Sequence, residues 1–202
     1  MTELLSELPA RGNYILQVDR SHQSRVKLFA PHGGCIEPCT GQIVLSLAMD
    51  EFDSYLFNGI RRKDCFKTLH VTSTHYDEPQ CLAMAREAEM AIAFHGCDGE
   101  DSYIQVGGGN TELAANLTQH LSVLGYQIRR ASEDLKGEHR GNFVNLAHQK
   151  GIQLELSAGF RRQLFPGFPR TSQRHPDAFS RFMGAMRTWM ESTERSLTDA
   201  PA

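Results

Sequence analysis

Two apolar segments of this chain end in the same way. Val26-Lys27-Leu28-Phe29-Ala30 runs into Pro31-His32-Gly33-Gly34, and Ala91-Ile92-Ala93-Phe94 runs into His95-Gly96-Cys97. Each run delivers an imidazole to a glycine-bearing loop, where backbone or a ligand can approach closely. Glu37 follows His32, just before Pro38. Two imidazoles and one carboxylate, with a fourth position open to water, are the usual ligand set of a hydrolytic zinc site. The His-x4-Glu spacing is not a standalone motif, so plainer roles stay open. His32 and His95 could satisfy loop carbonyls, and Glu37 could favour a helix N-terminus by roughly 0.3–1 kcal/mol. A third run, Ile152-Gln153-Leu154-Glu155-Leu156-Ser157, alternates apolar and polar residues. Glu155 is then either a solvated strand residue or a carboxylate placed beside an activated water, the general base of hydrolysis.

Other residues could also do chemistry. Leu69-His70-Val71-Thr72-Ser73-Thr74-His75 offers two imidazoles and several hydroxyls, and reads as a satisfied loop network before it reads as a ligand set. Gly107-Gly108-Gly109-Asn110 precedes a helix but lacks the Gly-Lys-Ser/Thr of a phosphate loop and the dinucleotide spacing, so it reads as a turn. Cys35, Cys39 and Cys97 flank the histidines, and no CxxC pair is present. A thiolate site or a Cys nucleophile is a minor alternative. Arg61-Arg62-Lys63, Arg129-Arg130 and Arg161-Arg162 read singly as surface charge, and together as the basic groups that an anionic substrate needs.

Alternating elements must position these groups. Tyr14–Val18, Val26–Ala30, Tyr55–Ile60, Thr68–Thr72, Met90–Phe94, Tyr103–Val106, Tyr126–Arg130 and Ile152–Leu156 read as strands. Pro38 opens a helix whose apolar face is Ile43, Val44, Leu47 and Ala48. Asp77-Glu78-Pro79 starts another, with Pro where its missing N–H costs nothing. Asn110 or Thr111 caps a third, with Leu113, Leu117, Leu121 and Leu124 on one face and Gly125 at its end. The last helix runs from about Pro176 to Glu194. Its stripe of Phe179, Phe182, Met183, Met186, Trp189 and Met190 reads as core before it reads as a partner surface. This alternation predicts a single α/β domain over residues 1–202, with a mixed, mostly parallel sheet between helical layers. Such sheets bind ligands beyond the carboxyl ends of their strands, where His32, His95 and Glu155 fall.

Composition fits a globular domain of 202 residues, with 40% hydrophobic and 22% charged side chains. A net charge of −3 leaves no footprint for non-specific nucleic-acid binding, and no apolar run approaches the ~20 residues of a membrane span. The start, MTELLSELPARGN, lacks the basic and apolar regions of a signal peptide. Five Cys at irregular spacing read as free thiols. The expectation is a cytoplasmic protein without disulfides, or one released by lysis.

Taken as an ordered set, Ala30-Pro31-His32-Gly33-Gly34-Cys35-Ile36-Glu37, Leu69-His70-Val71-Thr72-Ser73, Ala93-Phe94-His95-Gly96-Cys97, Asn142-Phe143-Val144-Asn145 and Gly151-Ile152-Gln153-Leu154-Glu155-Leu156 resemble the poly-γ-glutamate hydrolase family, small phage and bacterial relatives of the zinc carboxypeptidases. The resemblance covers roughly Arg25 to Leu164 and leaves the last helix outside. It implies a compact carboxypeptidase-like fold with one zinc ion, His32, Glu37 and His95 at the metal positions, and Glu155 at the general-base position. It also implies cleavage of γ-glutamyl amide bonds. Asn142, Asn145, His70, Arg161 and Arg162 are the expected substrate-binding residues, and the partner is an anionic amide, small or polymeric. One departure stands out. The family's Asn-rich segment ends in Asn-Arg, whereas Leu146 follows Asn145 here. Either one of Arg140, Arg161 and Arg162 takes over the carboxylate contact, or the substrate differs, an N-acylated glutamate being the alternative. A metal-binding module without turnover is the reading from another class.

Overall fold

The computed structural model describes residues 12–49, 51–170 and 173–199. The amino-terminal stretch that bears on a signal peptide lies outside them. One sheet contains β1 (Tyr14–Asp19), β2 (Val26–Gly34), β3 (Asp53–Gly59), β4 (Met90–Cys97), β5 (Ile104–Gly108), β6 (Ile128–Arg129) and β7 (Gly151–Ser157), in the order β1-β3-β2-β4-β7-β5-β6. Strands β3, β2, β4 and β7 run parallel. β1 and β5 join antiparallel, and β6 pairs parallel with β5. The α/β class and the mixed, mostly parallel sheet are as the alternation predicts. The helices are α1 (Thr40–Ala48), α2 (Cys65–Leu69), α3 (Pro79–Glu87), α4 (Thr111–Val123), α5 (Ala158–Leu164) and α6 (Pro176–Asp199).

Strand alternation splits the interior into two layers. Leu28 and Ala30 of β2, Ile92 and Phe94 of β4, and Ile152, Leu154 and Leu156 of β7 pack into one core with α1, α4 and α6. The Phe179–Met190 stripe of α6 is buried in this core, each such side chain contributing roughly 1.5–3 kcal/mol. The same helix is pinned at its far end, where the Arg25 and Val26 backbone N–H groups each donate to the Glu194 carboxylate at 2.8 Å. The opposite parity, Phe29, Ala91 and Ala93, packs with α3 and with Phe143 and Val144. In register, Ala93 lies beside Gln153, and His95 beside Glu155. Gln153, His95 and Glu155 therefore face this second layer.

Strand β2 is irregular where it matters. Its register with β3 shifts between Ala30 and Gly33, so Pro31 and His32 leave the ladder. A bulge of this kind re-aims a side chain. Gly34 then takes φ +67, and a Cβ there would stand 2.1 Å from the Gly59 carbonyl oxygen. Only glycine lets the two backbones close at this point.

Several sequence expectations are corrected. Thr68–Thr72 is not a strand. Its first residues lie in α2, with Thr68 N–H donating to Asp64 O and His70 N–H to Phe66 O, because an apolar run this short fits either period. Gly107 and Gly108 belong to β5 rather than to a turn, and Gly108 lies against the backbone of Gly151 and Ile152. The Tyr126–Arg130 strand shrinks to Ile128–Arg129, and Leu124 is exposed past the end of α4.

The expectation of free thiols is also overturned. Cys35 and Cys65 form a disulfide with Cα atoms 5.9 Å apart, while Cys39, Cys81 and Cys97 are free. The link removes the ground for the cytoplasmic expectation, since disulfides persist chiefly in oxidising compartments. No helix among the described residues is long and apolar enough to cross a membrane. The bridge closes a loop of sequence separation 30. Loop-closure entropy makes that worth about 3–4 kcal/mol. Replacing Cys35 and Cys65 together by Ser should lower the urea-unfolding free energy by that amount, and reduction of the wild type should do the same. Equal stability with and without reductant would show that the two thiols are not joined.

Candidate metal centre

The carboxyl ends of β2, β4 and β7 open into a cavity of about 1150 Å³. His32, Glu37, His70, His95, Asn142, Gln153 and Glu155 all line it. His32 and Glu37 are nearly inaccessible, at 1% and 5% exposure, so their polar atoms must find partners inside the site.

Each group is held by a specific contact. His32 Nε2 lies 2.8 Å from the Val71 carbonyl oxygen. A carbonyl can only accept, so Nε2 carries a proton, and Nδ1 is the nitrogen that turns inward. Glu37 Oε2 accepts the Gly96 N–H at 2.8 Å. Its Oε1 stands 3.0 Å from His32 Nδ1 and 3.6 Å from His70 Nε2. His95 Nδ1 is 3.1 Å from His32 Nδ1 and 3.6 Å from the Glu37 carboxylate, and its Nε2 meets Ser73 Oγ at 3.4 Å. His32, Glu37 and His70 each offer a ligand atom within 4.8 Å of the others, an arrangement that could hold a metal ion. The His70 ring lies between Phe66 and His32, with both centroids at 4.3 Å, and its side chain is 23% exposed.

Glu155 lies on the neighbouring strand. Gln153 Nε2 donates to its Oε1 at 3.1 Å. Gln153 also donates to Leu135 O and accepts from Asn142 Nδ2 at 2.7 Å. Burial raises the Glu155 carboxyl to about 7 and the Glu37 charge adds to this, against the opposing pull of His95 and Arg161. Glu37 behaves oppositely. Burial works to raise it, but the imidazoles of His32, His70 and His95 gathered around it hold it well below the usual carboxylate range. Two carboxyls in one cavity with their pKa values driven apart are the pattern of divided acid–base roles.

The remaining expected substrate-binding residues are placed differently. Arg161 is 4% exposed and is absent from the cavity lining. Its guanidinium donates to the carbonyls of Leu156, Pro38 and Cys97, clamping the segments that carry Glu37 and His95. Arg162 points to the surface and pairs with Glu100 at 2.9 Å. Asn145 spends its amide on Gly109 N–H, Gly137 O and His139 O, bracing a loop. Asn142 lines the cavity but is buried under Gln153. Leu146 packs against the second core, away from the cavity. Gln153, which orients Glu155, escaped the sequence reading, although its alternation with Glu155 put both on one strand face.

The Poly-gamma-glutamate hydrolase family profile matches residues 1–185. This chain belongs to the poly-γ-glutamate hydrolase family. The match reaches further than the Arg25–Leu164 resemblance, into α6. The SPbeta prophage-derived UPF0714 protein YoqZ of Bacillus subtilis (strain 168) is 37% identical over 167 residues, covering 81% of this chain and 59% of YoqZ. UPF0714 protein YndL of the same organism is 36% identical over 161 residues, 77% of this chain and 62% of YndL. The chain thus spans about three-fifths of the length of these two relatives. A structure described as zinc-free, apo YndL superposes with TM-score 0.87 at 31% identity, covering 96% of each chain. A bacteriophage poly-γ-glutamate hydrolase gives 0.86 at 28% identity, covering 94% of each. The α/β fold described above is the one these two structures share.

Proposed function

We propose that this chain cleaves γ-glutamyl amide bonds of poly-γ-glutamate, with His32, Glu37 and His95 holding one zinc ion and Glu155 acting as general base. The observation that carries the reading is the meeting of lone-pair atoms around Glu37. With Nε2 of His32 committed to Val71, a neutral, metal-ligating ring would set its Nδ1 lone pair 3.0 Å from a carboxylate oxygen and 3.1 Å from another imidazole nitrogen. Acceptors held this close repel unless a cation sits among them. Ligands of a tetrahedral zinc stand roughly 3.3 Å apart, given metal–ligand distances of about 2.0–2.1 Å. The observed 3.0 Å from His32 Nδ1 to Glu37 Oε1 and 3.1 Å between the two Nδ1 atoms are close to that spacing, and His95 Nδ1 stands 3.6 Å from the second carboxylate oxygen, Oε2.

His95 is favoured over His70 as the third ligand. It approaches both His32 and Glu37, and Ser73 steadies its second nitrogen as an outer partner should. His70 approaches Glu37 from the cavity wall, between two rings, where it would face substrate.

A zinc ion in this site would polarise the scissile carbonyl and lower the pKa of water towards ~7. The chain's own residues supply the rest. Glu155 Oε1 is occupied by Gln153, which leaves Oε2 to take a proton from the attacking water and return it to the leaving amine. A zinc ion beside Glu155 would favour its ionised form, the form that accepts a proton from water and can then pass it on. The buried floor excludes bulk water and strengthens every charge interaction above it.

The discriminating experiment offers the purified chain poly-γ-glutamate and N-acylated glutamates. Shortening of the polymer is expected, with little release of free glutamate from the N-acyl compounds. Release from those compounds alone would assign the alternative amidohydrolase activity. Binding of zinc without hydrolysis of either would leave a module without turnover.

A further inference from the structure

A polycarboxylate substrate needs cations, and the reaction cavity supplies few. Lys136 is the only Lys or Arg among its described lining residues, against Glu37, Asp98, Glu133, Glu138 and Glu155. A second cavity of about 430 Å³ adjoins it, and the two share Lys136 and Glu138. Here the balance reverses. Arg129, Arg130 and Lys136 line it against Glu138 alone, together with the hydroxyl residues Thr118 and Ser122. Arg129 is held in place by its 4.1 Å contact over the Tyr103 ring and by Asp101 at 2.7 Å. Tyr103 itself lines the reaction cavity. Lys136 pairs with Glu133 at 2.6 Å. In both pairs the carboxylate side is solvent-exposed and the cation half-buried, and pairs so open to water contribute little and can exchange for competing carboxylates. Arg130 is exposed, and no side-chain hydrogen bond holds its guanidinium among the described residues.

We propose that this second cavity is a subsite for the carboxylates of a γ-linked glutamate chain beyond the bond being cut. The inference rests on the proposed polymer substrate and deepens that reading. Lys136 marks the passage between the cavities, and Arg129 and Arg130 take the more distant carboxylates through charge-assisted, bidentate hydrogen bonds. The subsite supplies the cations that Arg161 and Arg162 cannot, one being spent on backbone carbonyls and the other lying at the surface. It also favours cleavage within chains over removal of single terminal residues.

Calorimetric titration of the metal-free protein with γ-linked glutamate oligomers of increasing length tests this apart from hydrolysis. Wild-type affinity should rise with length. Arg130→Glu should lose roughly tenfold or more of the affinity for long oligomers, as expected for a charge-assisted contact, and should not weaken binding of the dimer. Arg195→Glu, an equal charge change on α6 outside both cavities, should keep the full length dependence. The subsite is refuted if wild-type affinity does not depend on length, if Arg130→Glu retains the dependence, if it weakens the dimer equally, or if Arg195→Glu abolishes the dependence. Length-dependent binding that Arg130→Glu removes, in a protein that hydrolyses no γ-glutamyl bond, would uphold the subsite and refute the proposed activity.

Discussion

Glu155→Gln is expected to lower kcat by roughly 10²–10⁴-fold while leaving fold, zinc content and substrate binding near those of the wild type. That loss corresponds to ~3–5 kcal/mol of barrier. Glutamine keeps the shape of Glu155 and an oxygen for the Gln153 amide, so the strand pairing with His95 and the cavity wall should persist. Its amide cannot accept a proton, and that is the one capacity lost. The variant separates three roles when metal stoichiometry and turnover are measured on one preparation. A general base loses rate alone, a ligand loses metal, and a spectator loses neither. An unchanged kcat would remove Glu155 from the mechanism.

The second large effect concerns the ligands. His32→Ala, Glu37→Ala and His95→Ala should each lose most of the bound zinc and, with it, hydrolysis, because three protein ligands leave no redundancy. None should unfold the protein outright, since both hydrophobic layers remain intact without them. His70→Ala should retain zinc, because His70 meets Glu37 at 3.6 Å from the cavity wall and has no approach to His32 Nδ1 like that of His95. Elemental analysis of the four variants side by side checks the assignment. Retention of zinc in His95→Ala together with its loss in His70→Ala would exchange the two histidines.

His32 and His95 are legible because they come at the ends of apolar runs, and Glu155 because it lies near the end of an alternating one. Buried parallel strands read as continuous hydrophobic stretches, and residues at their carboxyl ends fall beside the end of the neighbouring strand. His32, Glu37, His95 and Glu155 meet in one cavity for that reason. The alternation in β7 carried more than was taken from it, since the periodicity that put Glu155 on one face put Gln153 there too. Arg161 could not be placed from sequence. A run of two arginines looks like surface charge, and only the packing of α5 against the ends of β4 and β7 reveals three backbone carbonyls waiting for the first of them. The Cys35–Cys65 bridge was hidden because pairing depends on distance in space, and the irregular end of β2 sets that distance. The sequence offers His70 as one member of a loop network or as a substrate-binding residue. Its approach to Glu37 depends on α2 replacing the expected strand.

Zinc titration into the metal-free protein, with cleavage of γ-glutamyl bonds followed in the same samples, puts the proposed chemistry to its sharpest test. Saturation is expected at one equivalent, with hydrolysis rising in step and reaching its full rate at that point. Full hydrolysis by the metal-free protein, or zinc uptake far below one equivalent, would contradict a single zinc ion held by His32, Glu37 and His95 as the seat of the reaction.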